Sequence, residues 1–284
     1  MSVNDSPQSK DQRRILILGC GYLGRFVVEK ALSQGIATDA LTRNSDTCIQ
    51  LQKMGAQKTI SQTLATSNWH SEIDPNHYQA VIVSVGSSES TPEGYRESYI
   101  DGLNSVIRWI GDQPLRLIYT SSISVYGSSD GDWIDEQTNP APENWRGEII
   151  LQSEELLRSK IGDQAFICRL GGIYGPGRMR FLQKTWSPEN QAEDDGYLNL
   201  IHAEDAAEAL LKIAMRKPPP ASNIFNLTDN TPHLRSEVYG KNDSPTAKPY
   251  YTRSNRNRHS ANRRIDSSKI QAELDWIPKH LIKI

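Results

Sequence analysis

Apolar residues fall along this chain in two alternating rhythms. The first is a short unbroken run, Ile15-Leu16-Ile17-Leu18, that ends at a glycine. A run without polar alternation fits a strand covered on both faces, as in a parallel sheet. Leu23, Phe26, Val27, Ala31 and Leu32 follow at helical spacing, and Gly35 is placed to stop a helix over 23–34. Unbroken runs recur at Val81-Ile82-Val83, Leu117-Ile118-Tyr119 and Phe166-Ile167-Cys168, with helical stretches at 94–111 and 146–160 between them. A helix over 204–215 precedes a short strand at Ile224-Phe225-Asn226-Leu227. Strands alternating with helices predict βαβ units and a doubly wound α/β sheet.

Two regions break the rhythm. Residues 176–198 are polar and rich in turn formers, and 228–265 are dense in Pro, Asn, Ser and Arg. Both leave the chain after late strands. They predict a small C-terminal lobe (176–198 and 229–284, within a remainder of 176–284) beside a main domain of 13–175 that recovers a return segment, 199–228. Residues 1–12, mostly Ser, Asn, Asp and Gln, hold too little apolar surface to order themselves.

Composition narrows the class. The 284 residues carry 32 Lys+Arg against 34 Asp+Glu, a net charge of -2 that sets up no field for nucleic acid or a membrane surface. Mean hydropathy is -0.59, and no apolar run approaches the roughly 18 residues needed to span a bilayer. Residues 1–14 lack the apolar centre of a secretory signal. Three cysteines, Cys20, Cys48 and Cys168, form no even framework, which suits a reducing compartment and predicts a cytoplasmic protein.

Candidate chemistry begins at Gly19-Cys20-Gly21-Tyr22-Leu23-Gly24, a GxGxxG turn that closes the first strand and opens the first helix. Gly19 permits the tight turn, Gly21 lets a pyrophosphate approach the backbone, and Gly24 lets helix and strand pack closely. The helix start favours the anion. With Tyr22 and Leu23, and with Val85-Gly86 after the third apolar run, these residues predict a dinucleotide site in a Rossmann-like fold. The second strand ends Ala40-Leu41-Thr42-Arg43-Asn44. Arg43, beside Thr42, stands where an acidic residue selects NAD, so NADP(H) is expected in preference to NAD(H); a solvated surface arginine is the alternative. Asp39 lies too early, inside the strand. A reactive role for Cys20 in the turn is weaker than a packing role.

Together these motifs resemble the short-chain dehydrogenase/reductase superfamily, in particular its extended NAD-dependent epimerase/dehydratase group. Tyr119-Thr120-Ser121-Ser122-Ile123-Ser124-Val125-Tyr126-Gly127 is similar to the segment carrying that family's active-site serine, at Ser122. Arg169-Leu170-Gly171-Gly172-Ile173-Tyr174-Gly175-Pro176-Gly177-Arg178 resembles the strand end beneath the nicotinamide, and Asn199-Leu200-Ile201-His202-Ala203-Glu204-Asp205 resembles a later motif that returns the chain to the main domain. Residues 263–278 resemble the C-terminal segment, after which this chain ends earlier than such relatives. The resemblance implies a substrate-facing C-terminal lobe and a small-molecule substrate, sugar-nucleotide-like or otherwise anionic.

One part of the pattern is missing. The family's Tyr-x-x-x-Lys pair, aligned on Glu154, falls on Arg146-Gly147-Glu148-Ile149-Ile150, with arginine for tyrosine and isoleucine for lysine. Arginine does not give up its proton in a protein. Tyr99 likewise replaces an asparagine ahead of Gly102. Ser122 remains to orient a carbonyl, Tyr126 or Tyr174 could supply a phenolic proton, and Arg146 could clamp an anion or pair with Glu148 or Glu154. The histidines show no ligand spacing, and no metal site is expected. A cationic stretch, Lys248, Arg253, Arg256, Arg258, Arg263 and Arg264, suits substrate phosphates or a solvated loop better than nucleic acid. The resulting expectation is an NAD(P)-dependent oxidoreductase or epimerase, monomeric or homodimeric; the alternative is a non-catalytic NADP(H)-binding sensor or scaffold.

Overall fold

A computed structural model of the chain describes residues 13–87, 89–179, 195–239 and 262–282. Its first half runs β1 (Arg14–Leu18), α1 (Tyr22–Ser33), β2 (Ala37–Thr42), α2 (Ser45–Met54), β3 (Lys58–Ser61) and β4 (Ala80–Val83). Then come α3 (Pro92–Arg96), a π-helical turn (Glu97–Asp101), α4 (Gly102–Ile110) and β5 (Arg116–Ser122). After β6 (Trp133–Ile134) follow α5 (Trp145–Lys160), β7 (Ala165–Leu170), β8 (Gly172–Tyr174), β9 (Tyr197–Leu198), β10 (Leu200–His202) and α6 (Ala203–Met215). The rest is β11 (Ile224–Leu227), β12 (His233–Leu234), α7 (Arg235–Tyr239), β13 (Arg264–Ile265) and α8 (Ser268–Leu274).

Seven strands form one parallel sheet in the order β11-β7-β5-β4-β1-β2-β3. This is a Rossmann-like arrangement, and its strand order reverses at β1, between β2 and β4. The unbroken apolar runs are explained by cover on both faces. Successive side chains point to opposite sides of a strand, so Ile15 and Ile17 join a core with α1, α6 and α8. Leu16 and Leu18 face the other way, into a core with Leu103 and Val106 of α4, Trp69 and Leu157. The edge strand β3 has no such run, with only Ile60 buried, and the apolar pattern did not announce it.

The helix expected at 94–111 is divided. Thr91 caps α3 by accepting from the Gly94 N–H, Pro92 takes the first turn, and the π-helical turn separates α3 from α4. Of the expected C-terminal lobe, 180–194, 240–261 and 283–284 lie outside the described residues. Beyond the main sheet, β12 pairs antiparallel with β9, β10 parallel with β8, and β13 parallel with β6. Ile270, Leu274 and Trp276, from the same expected lobe, pack into the main core beside α1 and α6. No helix among the described residues is long and apolar enough to cross a membrane.

Candidate functional site

The glycine turn occupies the carboxyl end of the central strand. Gly19 has φ +92°, and a Cβ there would stand 2.6 Å from the Ser84 carbonyl oxygen. At Gly24 a Cβ would be driven into the Gly19 carbonyl. At Gly21, the N-cap residue of α1, a Cβ meets nothing within 4 Å. No side chain caps α1 and no acidic residue sits in its first turn, so its leading N–H groups are open to an anion.

Two cavities meet over this turn, sharing Gly21, Ser84, Val85 and Gly86. The first, about 320 Å³, is walled by Leu41, Thr42, Arg43 and Asn44 at the end of β2, with Glu97 and Ser98 from the π-helical turn. The second, about 410 Å³, holds Tyr22, Leu23, Tyr99, Ser122, Ile150 and Arg178. A Gly-walled passage between two cavities, an uncapped helix start and a strand-order reversal fit an extended dinucleotide. Asp39 is fully buried within β2, bound by Arg14 (2.6 Å), the Tyr78 hydroxyl (2.6 Å) and the Lys58 N–H (3.0 Å). It is therefore spent on the fold, and Glu97 is the carboxylate that lines the first cavity.

The catalytic candidates separate. Ser122 lines the second cavity; its Oγ accepts from the Ser124 N–H at 3.1 Å, which leaves its own O–H to donate. Tyr126 does not reach the cavity. It is buried, donating to Asn226 at 3.0 Å and accepting from Arg169 at 2.7 Å. Arg169 in turn makes a bidentate pair with buried Glu154, closest at 2.6 Å, and Ser121 donates to the same carboxylate. Burial depresses the Arg169 guanidinium, but Glu154 outweighs it and its pKa ends above the usual arginine value. Arg146 faces away from both cavities: its guanidinium lies over Trp145 at 4.3 Å and Tyr95 at 5.8 Å, and neither Glu148 nor Glu154 is its partner. Ile150 lines the second cavity with an apolar side chain.

Tyr174 is also withdrawn, its hydroxyl donating to the His280 carbonyl at 2.7 Å. Burial pushes the Cys20 thiol far up, consistent with packing rather than reactivity. Arg263 and Arg264 are not loop charges: Arg263 is buried and donates to the Gly127 and Ile123 carbonyls, and Arg264 stacks against Trp133 and Tyr197. Lys248, Arg253, Arg256 and Arg258 lie outside the described residues. His202, Glu204 and His280 do come together, with ligand-type atoms within 4.8 Å. However, the two imidazoles stack at 4.1 Å with an interplanar angle of 20°, so their in-plane lone pairs run side by side. His202 Nδ1 already accepts from the Glu204 N–H.

Sequence reasoning missed three cavity residues. Arg178 has no signal of its own in the sequence pattern; its guanidinium sits 4.1 Å over the Tyr22 ring, and the Tyr22 hydroxyl donates to the Pro176 carbonyl at 3.0 Å. Residues 175–178 are thereby folded back onto the glycine turn. Glu97 and Tyr99 were hidden because the π-helical turn shifts the phase of the helical pattern. Tyr99 was legible only as a departure from the family asparagine.

The sheet, its reversal point and the crossing cleft define a Rossmann-like α/β protein of the nucleotide-binding class. The model of the NAD dependent epimerase/dehydratase family matches residues 15–227, and the chain belongs to that family. Protein YeeZ of Escherichia coli K12 is 28% identical over 163 residues, 56% of each chain, so this chain spans little more than half the length of the curated relative it matches. Among solved structures, a UDP-glucose 4-epimerase from Thermotoga maritima, with UDP-glucose, superposes with a TM-score of 0.74 at 17% identity, over 94% of both chains. The Bordetella bronchiseptica enzyme WbmG, in complex with NAD, superposes with a TM-score of 0.71 at 17% identity, over 98% of this chain and 92% of that one. At these identities the structural likeness is one of fold.

Proposed function

We propose that this protein is an NADP(H)-preferring oxidoreductase or epimerase acting on a small sugar-nucleotide-like or otherwise anionic substrate. The observation that carries the reading is Gly21, open to both cavities at an uncapped helix start. The first cavity takes the adenosine half, with Arg43 beside the ribose 2′ position. Gly19, Gly21, Tyr22, Leu23 and Gly24 hold the pyrophosphate, and Val85 and Gly86 line the passage to the nicotinamide half. A nicotinamide bound there supplies or accepts a hydride. In the second cavity the free O–H of Ser122 points a donor at a substrate carbonyl, and Arg178 offers its planar fork to an anion. UDP-glucose in the Thermotoga maritima epimerase supports the sugar-nucleotide class. Three buried, unpaired cysteines support a reducing, cytoplasmic setting.

The test is a titration with NADPH and NADH, followed by energy transfer from the six tryptophans. Tighter binding of NADPH is expected, about tenfold, and Arg43→Ala should abolish the difference while sparing NADH. Equal affinities in the wild type defeat the assignment of Arg43. A second reading, a nucleotide-binding sensor without turnover, is favoured by Ile150 in the second cavity where the family has its lysine. Turnover of bound cofactor with any of a panel of UDP-sugars eliminates it.

A further inference from the structure

The titratable groups that line the second cavity, among the described residues, are Tyr22, Tyr99 and Arg178. Arginine keeps its protons at neutral pH, and the Tyr22 hydroxyl already donates to Pro176. Tyr99 is left. It stands in the π-helical turn between α3 and α4, and such turns inside helices recur at functional sites. Its ring is braced by Tyr95 at 5.3 Å, itself held edge-on by Trp145 at 5.0 Å. The Ser87 backbone partly offsets the effect of burial on the Tyr99 phenol, and Ser87 lines the same cavity. The phenol is thus fixed in position on the cavity wall that Ser122 also lines.

We propose that Tyr99 is the proton donor of the second cavity, giving its hydroxyl proton to a substrate oxygen held by Ser122. The proposal rests on reading the site as that of an oxidoreductase or epimerase. In the reductive direction the carbonyl carbon gains a hydride, with the reduced nicotinamide as two-electron donor. The Tyr99 O–H bond breaks, an O–H bond forms on the substrate, and the phenolate recovers a proton from water. Burial first, and Tyr95 second, push the Tyr99 phenol up to about 12, so it is protonated and able to donate at neutral pH.

A positively charged nicotinamide ring near the phenol would stabilise its anion, whereas the neutral reduced ring would not. Tyrosinate ultraviolet absorbance is therefore titrated against pH in the presence of saturating NADP+ or NADPH. The chain has 11 tyrosines, so the wild type minus Tyr99→Phe difference isolates one of them. The expected result is a one-tyrosine component whose midpoint is lower with NADP+ than with NADPH by about one pH unit or more, and which is absent from Tyr99→Phe. If both nucleotides bind by tryptophan energy transfer but the component is the same with each, or persists in Tyr99→Phe, Tyr99 is not the donor and the cofactor reading stands. If neither nucleotide binds, the cofactor reading fails and this proposal with it. Should Tyr99→Phe fail to fold, the wild-type comparison alone decides, since no nucleotide-dependent component means no such role.

Discussion

Gly21 separates two demands that usually coincide at a glycine. Gly19 is required by the fold, since its φ of +92° and the nearby Ser84 carbonyl leave no place for a side chain, whereas Gly21 has open space around it. Gly21→Ala is therefore expected to change unfolding free energy in urea by no more than about 1 kcal/mol, while weakening nucleotide binding at least tenfold. Tenfold corresponds to about 1.4 kcal/mol. A calorimetric binding constant beside a denaturation curve checks both halves, and unimpaired binding would remove Gly21 from the site. At this scale the glycine turn was legible in the sequence because its steric demands, at Gly19 and Gly24, are local. Tyr126 and Tyr174 were not, because their partners, Asn226 and His280, arrive from distant parts of the chain.

Helix α5 sends its side chains to three different surroundings. Ile150 stands in the cavity and Arg146 turns out to the Trp145 and Tyr95 rings, yet Glu154 still ties the helix to β7 and, through Ser121, to β5. Removing one partner of a buried pair leaves the other uncompensated. Glu154→Gln is expected to lower stability by about 3 kcal/mol, measured by urea denaturation, whereas Arg146→Ala should cost under about 1 kcal/mol. Comparable losses in the two variants would contradict this division. The strands of the central sheet were legible because cover on both faces writes unbroken apolar runs. The π-helical turn was not, since its extra residue breaks the period on which helix reading depends.

Across the whole molecule, a knot of ionisable groups joins the C-terminal segment to the sheet. Asp205, at the start of α6, accepts from the Lys279 and His280 N–H groups and from His280 Nδ1. Nearby Asp229 is buried, with one carboxylate oxygen unpartnered, and burial followed by the charge of Asp205 pushes its pKa up to about 7. An unfolded aspartate ionises near 3.8. As pH rises between those values the unfolded chain sheds a proton that the fold retains, so stability declines through pH 7. Burial and then His280 depress His202, so protonating it removes stability as pH falls below about 6.5. Asp229→Asn is thus expected to exceed the wild type in stability by on the order of 4 kcal/mol at pH 8, to keep less than half of that advantage at pH 5, and to lose it only below about pH 4. A pH-independent difference between the two in urea denaturation would refute the assignment. None of this could be read from spacing, because the groups meet only when the sheet is complete.

The pairing of α1 with α6 has a bearing on how the chain comes into being. Leu23, Val27 and Ala31 share a core with Ala206, Ala207 and Leu210, and Lys30 reaches Glu208 at 3.2 Å. A ribosome delivers α1 well before α6, so the apolar stripe of α1 travels without its α6 partner until Met215 has emerged from the exit tunnel. A nascent chain stalled before that point is a client for holding chaperones. Fragments truncated at residue 200 should enter inclusion bodies even though most strands of the sheet are already present.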